Sequence, residues 1–411
     1  MSVIRPKPPE DPIDYEPAVV VTSGDGSRDR RDTVEVGLEK LRRDVLGAAD
    51  AVRPDLLLDA YNIGGARAGS ELFAVLQVAR RIRDTVDRVV VLGDGCGARG
   101  ARAIFESCAH PCHNELSRGE RGGRPRLSFV GSPLDNDAIQ GLLDLVAPAG
   151  KPRGDDLLDQ WAVIVADTTG DGAGTAAATR LLLASLLESV GGDRAEVADR
   201  VVPITPPVGS LADLAASLGC SSVFTIPEEV GVGGSVFTPL GLLPAAVVGI
   251  DVVRLLQGAA AMNRRFREAP VTENPVLQFA TVSRLMAEQG GMARALASPS
   301  SQLDAVGRWH GQLTGKRGIP VPTNLIVREP RRDPLVVPAL TACAANADGL
   351  DHLTGTAWPD LLAATHAAHA NPEQPTDTIL LPRVDEHSIG QLLQFLVLTN
   401  LVASLPSNPP A

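Results

Sequence analysis

The stretch Asp87-Arg88-Val89-Val90-Val91-Leu92-Gly93 runs directly into Asp94-Gly95-Cys96-Gly97-Ala98-Arg99-Gly100. A short β-branched run that ends in glycine, followed by a glycine-rich turn, predicts a buried strand leading through a tight loop into a helix. Glycines at that junction let backbone N–H groups close on a phosphate at the helix N-terminus. The spacing also admits a dinucleotide site, and a plain strand-to-helix turn needs nothing more than the same glycines.

The pattern recurs. Arg126-Leu127-Ser128-Phe129-Val130-Gly131 is a second strand candidate. Trp161-Ala162-Val163-Ile164-Val165-Ala166 is a third, followed by Asp167-Thr168-Thr169-Gly170-Asp171-Gly172-Ala173-Gly174-Thr175 and a helix over Ala176–Val190. Further strands are expected at Val201–Ile204 and Val223–Ile226, with helices before them around 33–45 and over Ser70–Val86. Short apolar runs alternating with helices imply a parallel sheet covered on both faces, with ligands at the carboxyl ends of its strands. The second half reads as more helical. Helices are expected over Leu240–Gly258, Asn274–Gln289, Gln302–Leu313 and Ile389–Ser404, and strands at Asn324–Val327 and Thr378–Leu381.

Composition narrows the class. The chain has 411 residues, 44% of them hydrophobic and 21% charged, so it has the material for a sizeable core. The net charge of −11, with no long Lys/Arg run, excludes nucleic acid as a first reading. The apolar stretch Thr238–Ala261 is broken by Pro239, Pro244, Asp251 and Arg254, which predicts a buried helix pair and no membrane span. Five cysteines do not describe a disulfide scaffold, and MSVIRPKPPEDP has no apolar signal core; a reduced, cytoplasmic protein is expected. The proline-rich residues 1–32 are expected to form a flexible arm.

Val89–Ala103 is similar to the phosphate-binding segment of the glucose-6-phosphate isomerase family, which is built from two sugar-isomerase (SIS) domains. The resemblance continues in His110-Pro111-Cys112-His113-Asn114-Glu115-Leu116, in Leu134-Asp135-Asn136-Asp137, and most fully in Gly231–Asp251. Glu273-Asn274-Pro275 and Asp385-Glu386-His387-Ser388-Ile389-Gly390 also fit, so that it spans roughly residues 40–409 in collinear order. It implies an α/β fold of two SIS domains, each a parallel-rich sheet between helices, expected over 33–222 and 223–411. It also implies aldose–ketose isomerisation through a cis-enediol, no metal or other cofactor, and a homodimer.

That reaction needs a carboxylate base, positive charge for the enediolate, and a polar cradle for the phosphate. Aligned on Gly315-Lys316, the resemblance places Gln312 at the family's base position; aligned on Gln312-Leu313, it deletes the base altogether. A carboxamide does not accept a proton near neutral pH. The family's Gly-Gly-Arg reads here as Gly233-Gly234-Ser235, without its Arg, and the next cation is Arg254. The phosphate loops keep Gly93, Gly95, Gly97, Thr168, Thr169 and Thr175, but Thr168 stands where the family has Lys and Gly97 where it has Ser. Asp94 and Asp171 add negative charge and are read as capping their own empty loops. The stretch Asn324–Asp333 lacks the family's ring-opening His, and the chain ends at Ser407-Asn408-Pro409-Pro410-Ala411, where the family's Lys-bearing segment would begin.

Other constellations point less far. Cys108, His110, Cys112 and His113 have soft-ligand chemistry but crowded spacing; Cys96 reads as a small turn residue, and His366 and His369 as surface histidines. Arg328, Arg331 and Arg332 read as a solvated basic patch. The expectation is therefore a divergent homologue with a dismantled site, serving as a scaffold or regulatory subunit in a homodimer or beside an active paralogue. Two alternatives stay open. One is an active glucose-6-phosphate/fructose-6-phosphate isomerase of glycolysis and gluconeogenesis, using Glu228, Glu229 or Glu329 as base. The other is a sensor that binds a sugar phosphate without turnover.

Overall fold

A computed structural model of the chain describes residues 11–16, 39–40, 42–43, 45–46, 54–62, 67–93, 95–131, 135–146, 156–166, 173–226, 234–288, 294–297, 300–313, 321–329 and 377–404. Its strands are β1 (Asp14–Glu16), β2 (Arg88–Gly93), β3 (Arg126–Val130), β4 (Trp161–Ala166), β5 (Val201–Thr205), β6 (Phe224–Thr225), β7 (Arg294–Ala297), β8 (Val321–Glu329) and β9 (Asp377–Arg383). Its principal helices are α1 (Pro54–Asn62), α2 (Glu71–Thr85), α3 (Gly95–Cys108), α4 (Asn136–Val146), α5 (Ala173–Ser189), α6 (Arg194–Arg200), α7 (Ser210–Leu218), α8 (Pro239–Val247), α9 (Val252–Glu268), α10 (Pro275–Glu288), α11 (Asp304–Leu313) and α12 (Glu386–Ser404). The chain divides into two compact units, one of Leu46–Gln257 and one of Met1–Val45 with Gly258–Ala411. The sequence expectation began its second domain at 223. The compact division keeps 223–257 with the first unit, because α8 packs against α2 and α3.

The unit Leu46–Gln257 carries a five-stranded sheet in the order β3-β2-β4-β5-β6, with every pairing parallel. Each residue of β4 is buried, and so is β2 from Val89 to Gly93, which explains why both read as unbroken apolar runs. Val90, Leu92, Trp161, Val163 and Val165 form one core with Ile139 of α4, Leu182 and Leu186 of α5, Val197 of α6 and Leu211 of α7. The helix expected from Ser70 begins one residue later, because Ser70 is its cap: the side chain accepts from the Phe73 N–H at 3.3 Å.

Two features organise the edge of this sheet. Asn114 extends edge strand β3 with its side chain, donating Nδ2 to Leu127 O (2.8 Å) and accepting the Leu127 N–H on Oδ1 (2.9 Å). The outward backbone groups of Leu127 are thereby satisfied without a further strand. At the amino ends of β2 and β3, Asp87 is 1% exposed and holds three arginines: Arg118 at 2.9 Å and Arg121 at 2.6 Å on Oδ1, and Arg126 on Oδ2. The same arginines donate to the carbonyls of Arg83, Val86, Asn114, Leu116 and Arg124, tying the 109–125 segment to the sheet.

The buried helix pair expected over Thr238–Ala261 is present as α8 and the first part of α9. Every residue of α8 is buried. The break between the helices follows from local chemistry: Gly249 adopts φ +80°, and the Gly249 and Ile250 N–H groups return to the carbonyls of Ala246 and Ala245. Asp251 Oδ1 then accepts the Arg254 N–H at 2.9 Å and starts α9.

The other unit has a four-stranded sheet in the order β1-β9-β8-β7, parallel except for the β1–β9 pair. Residues 14–16 thus form an edge strand within the segment expected as a flexible arm. Ile13 and Tyr15 are buried there. The Ile13 N–H donates to Gln391 Oε1 at 3.2 Å, its carbonyl accepts from Arg265 at 2.6 Å, and the Tyr15 ring lies 5.4 Å from that of Phe279. Docking of this kind depends on residues hundreds of positions away and leaves no local signal. Helix α12 is buried on all sides from Ser388 to Thr399, so it carries no amphipathic stripe. Among the described residues no helix is long and apolar enough to cross a membrane.

Candidate functional site

The two glycine loops leave adjacent strand ends. Gly93 closes β2 and is the register partner of Ala166, which closes β4. A Cβ on Gly93 would meet Ala166 O at 3.0 Å and Ala98 Cβ at 3.3 Å. A Cβ on Gly131, just past the end of β3, would meet Gly93 O at 3.0 Å. Three parallel strands therefore end against one another at Gly93, and glycine is needed there for close approach, not only for the turn.

Both loops run into helices whose first turns lie beyond these strand ends. Gly95 opens α3 and Gly97 follows within it. Thr168 and Thr169, with Asp94 and Asp171, lie outside the described residues. Thr175 is buried in the first turn of α5, and its carbonyl accepts from Thr179 Oγ1 at 2.7 Å. Helix N-termini beyond parallel strand ends offer N–H groups and a favourable dipole to an anion.

Gly233 lies outside the described residues, while Gly234 and Ser235 begin a buried single-turn helix over Gly234–Phe237 that packs against α3. Thr238 fixes this turn by donating Oγ1 to Ser235 O at 2.7 Å and capping Leu240. Gly241 permits the fold-back, since a Cβ there would sit 2.0 Å from Val236 O. The turn is built tightly from Gly, Ser and Thr, and Arg254 lies on α9 as expected.

Gln312 belongs to the other compact unit, in the last turn of α11. Trp309 and His310 anchor that turn in the core. The Gln312 Oε1 atom is buried and has no hydrogen-bond partner among the described residues. The acidic residue of α11, Asp304, lies in its first turn, so the helix end carries a carboxamide and an imidazole but no carboxylate. The Gln312 carboxamide can orient a hydroxyl; it cannot itself remove a carbon-bound proton.

Of the other sequence candidates, His113 Nε2 lies 3.0 Å from Pro125 O, and Cys108 is buried while Cys112 is exposed. No group of three metal-ligating side chains occurs among the described residues. Glu228, Glu229, Arg331, Arg332, His366, His369 and Cys96's side chain fall outside what is described, as do the side chains of Arg328 and Glu329 on β8. The arginine hub around Asp87 was not legible in the sequence, because its members are spread from 87 to 126 with no repeating interval.

No protein-family model matches the chain. Among curated proteins it is 28% identical to the glucose-6-phosphate isomerase of Bacillus cytotoxicus over 356 residues, which is 79% of this chain and 76% of that protein. It is 29% identical to the enzyme of the same name from Bacillus cereus strain AH187, with the same coverage. Among solved structures, a hypothetical protein from Thermus thermophilus shares the fold at a TM-score of 0.71 and 21% identity, covering 95% of this chain and 93% of that one. A glucose-6-phosphate isomerase from Chlamydia trachomatis matches at 0.64 and 14% identity, over 92% and 81%. The strand order and glycine loops define an α/β protein of the sugar-isomerase type. More particularly, over 79% of its length the chain is similar to proteins named glucose-6-phosphate isomerase.

Proposed function

We propose that this protein is a glucose-6-phosphate isomerase homologue that does not turn over sugar phosphates. Its retained role is that of a cytoplasmic scaffold or regulatory subunit, paired with itself or with an active paralogue. The observation that carries this reading is the carboxamide of Gln312 at the carboxylate-free end of α11. General base catalysis contributes about 10²–10⁴-fold, and the carboxamide of Gln312 does not supply it. The cation of the family's Gly-Gly-Arg is absent as well, deleted between Gly234 and Ser235. The enediolate intermediate would form without its electrostatic partner.

A second reading is an active aldose–ketose isomerase acting on glucose 6-phosphate and fructose 6-phosphate with relocated residues. It is favoured by the length of the match to proteins of that name and by the close-packed strand ends at Gly93 and Ala166. A coupled assay of fructose 6-phosphate conversion by the purified full chain, beside Gln312→Ala, separates the two. Background rates for both proteins support the first reading. Turnover by the native chain that co-purifies with it overturns that reading.

A further inference from the structure

The amino-terminal edge of the five-stranded sheet holds more positive charge than its acid balances. Arg88, Arg118, Arg121 and Arg126 surround the single carboxylate of Asp87, a surplus of three charges. Two of the four each make three hydrogen bonds. Arg118 donates to Val86 O, Arg83 O and Asp87, and Arg121 to Arg124 O, Leu116 O and Asp87.

The other two make fewer. Arg126 donates Nε to Asn114 O and Nη1 to Asp87, which leaves Nη2. The Arg88 side chain makes one hydrogen bond, from Nη1 to Ser128 Oγ at 3.3 Å. Arg88 and Arg126 are register partners on neighbouring parallel strands, and Ser128 is two residues beyond Arg126. All three side chains therefore leave the same face of the sheet. Burial, with the adjacent charge of Arg126, holds the Arg88 guanidinium below its ordinary value. The Asp87 carboxylate opposes this shift only in part, and it is already hydrogen-bonded by Arg118, Arg121 and Arg126, so a further anion beside Arg88 and Arg126 would be favoured.

We propose that Arg88, Arg126 and Ser128 form a binding site for a small phosphate-type oxyanion, either inorganic phosphate or a phosphomonoester. The two guanidinium edges supply charge-assisted donors. Ser128 Oγ, already an acceptor from Arg88, keeps its proton for the anion. The site lies at the start of β2, and Gly93 is five residues along the strand, roughly 16 Å away. The occupant is thus an effector that does not compete for the glycine loops.

Calorimetric titration of the full chain with inorganic phosphate, and in parallel with glycerol 2-phosphate, tests this at low ionic strength against matched sodium chloride. The expected result is saturable binding of one anion per chain. Arg88→Gln weakens it by about tenfold or more, while Thr175→Ala in the first turn of α5 leaves it in place. Arg88 is the residue to change because Arg126 also holds Asp87. Ser128→Ala gives a milder second check, with weaker binding expected and the salt bridges intact. Tighter binding of the ester than of phosphate assigns the site to a phosphomonoester. Absence of saturable binding in the millimolar range, unchanged affinity in Arg88→Gln, or loss in Thr175→Ala alone overturns the proposal.

Discussion

Gly258 of α9 lies directly against the main chain of His387 in α12: a Cβ placed on it would sit 1.9 Å from the His387 carbonyl oxygen and 2.7 Å from its carbon. No rotamer change relieves such a clash, because the obstacle is backbone. Gly258→Ala must push the first turn of α12 away from α9, an overpacking cost of about 1–3 kcal/mol. Gly311, in α11, has nothing within 4 Å of its missing Cβ. Gly311→Ala should instead stabilise by about 0.5–1 kcal/mol through helix propensity. Chemical denaturation of the two variants beside the parent is expected to show shifts of opposite sign.

Asp87 offers a larger effect. Its carboxylate is the shared acceptor for Arg118, Arg121 and Arg126, and Arg121 is itself fully buried. Asp87→Ala leaves these cations without their counter-charge in a dry environment, a loss of about 3–5 kcal/mol. Thermal unfolding should drop steeply, and proteolysis should begin within 109–125, the segment the hub secures.

His113 sets a pH dependence. Burial holds its imidazole below the usual value of 6.5; the Pro125 carbonyl opposes that shift, and the charges of Arg121, Arg124 and His110 add to it. In the folded protein the ring stays neutral, donates Nε2–H to Pro125 O and meets Phe105 edge-on at 5.6 Å. The unfolded chain takes up a proton near 6.5 that the folded chain resists. Stability from this group is therefore complete above pH 6.5 and declines as pH falls below it, by less than about 1.4 kcal/mol per pH unit. Urea midpoints measured across pH 5–8 should show this slope in the parent and lose it in His113→Gln.

Gln312→Glu restores the acid that the family resemblance places in this segment, yet fructose 6-phosphate turnover is expected to stay at background. The family's Arg is still deleted between Gly234 and Ser235, so the charge expected to stabilise the intermediate is missing. An increase of more than about tenfold in the coupled assay would mean that another cation serves this role.

Strands β2, β3, β4 and β5 were legible from local pattern to within a residue or so of their observed bounds, as was α2. Fully buried parallel strands are written as continuous apolar runs, and their glycine endings mark the loops. Helices α4, α6 and α7 were not read from periodicity; α6 and α7 are only 7 and 9 residues long, too short for a clear pattern. At the candidate site, the identities of Gln312 and Ser235 were readable directly. The closeness of Gly93 to Ala166 was not, because it arises from strand register.

By itself the sequence determined the α/β class, the placement of the glycine loops and the absence of a carboxylate at Gln312, since each depends on residue identity or on neighbours a few positions apart. Only the tertiary structure decided that Ile13 docks on Gln391, that Gly258 touches His387, and that four arginines converge on Asp87. Those relationships join residues distant along the chain or spaced without a period, and they exist only once the packed backbone brings them together.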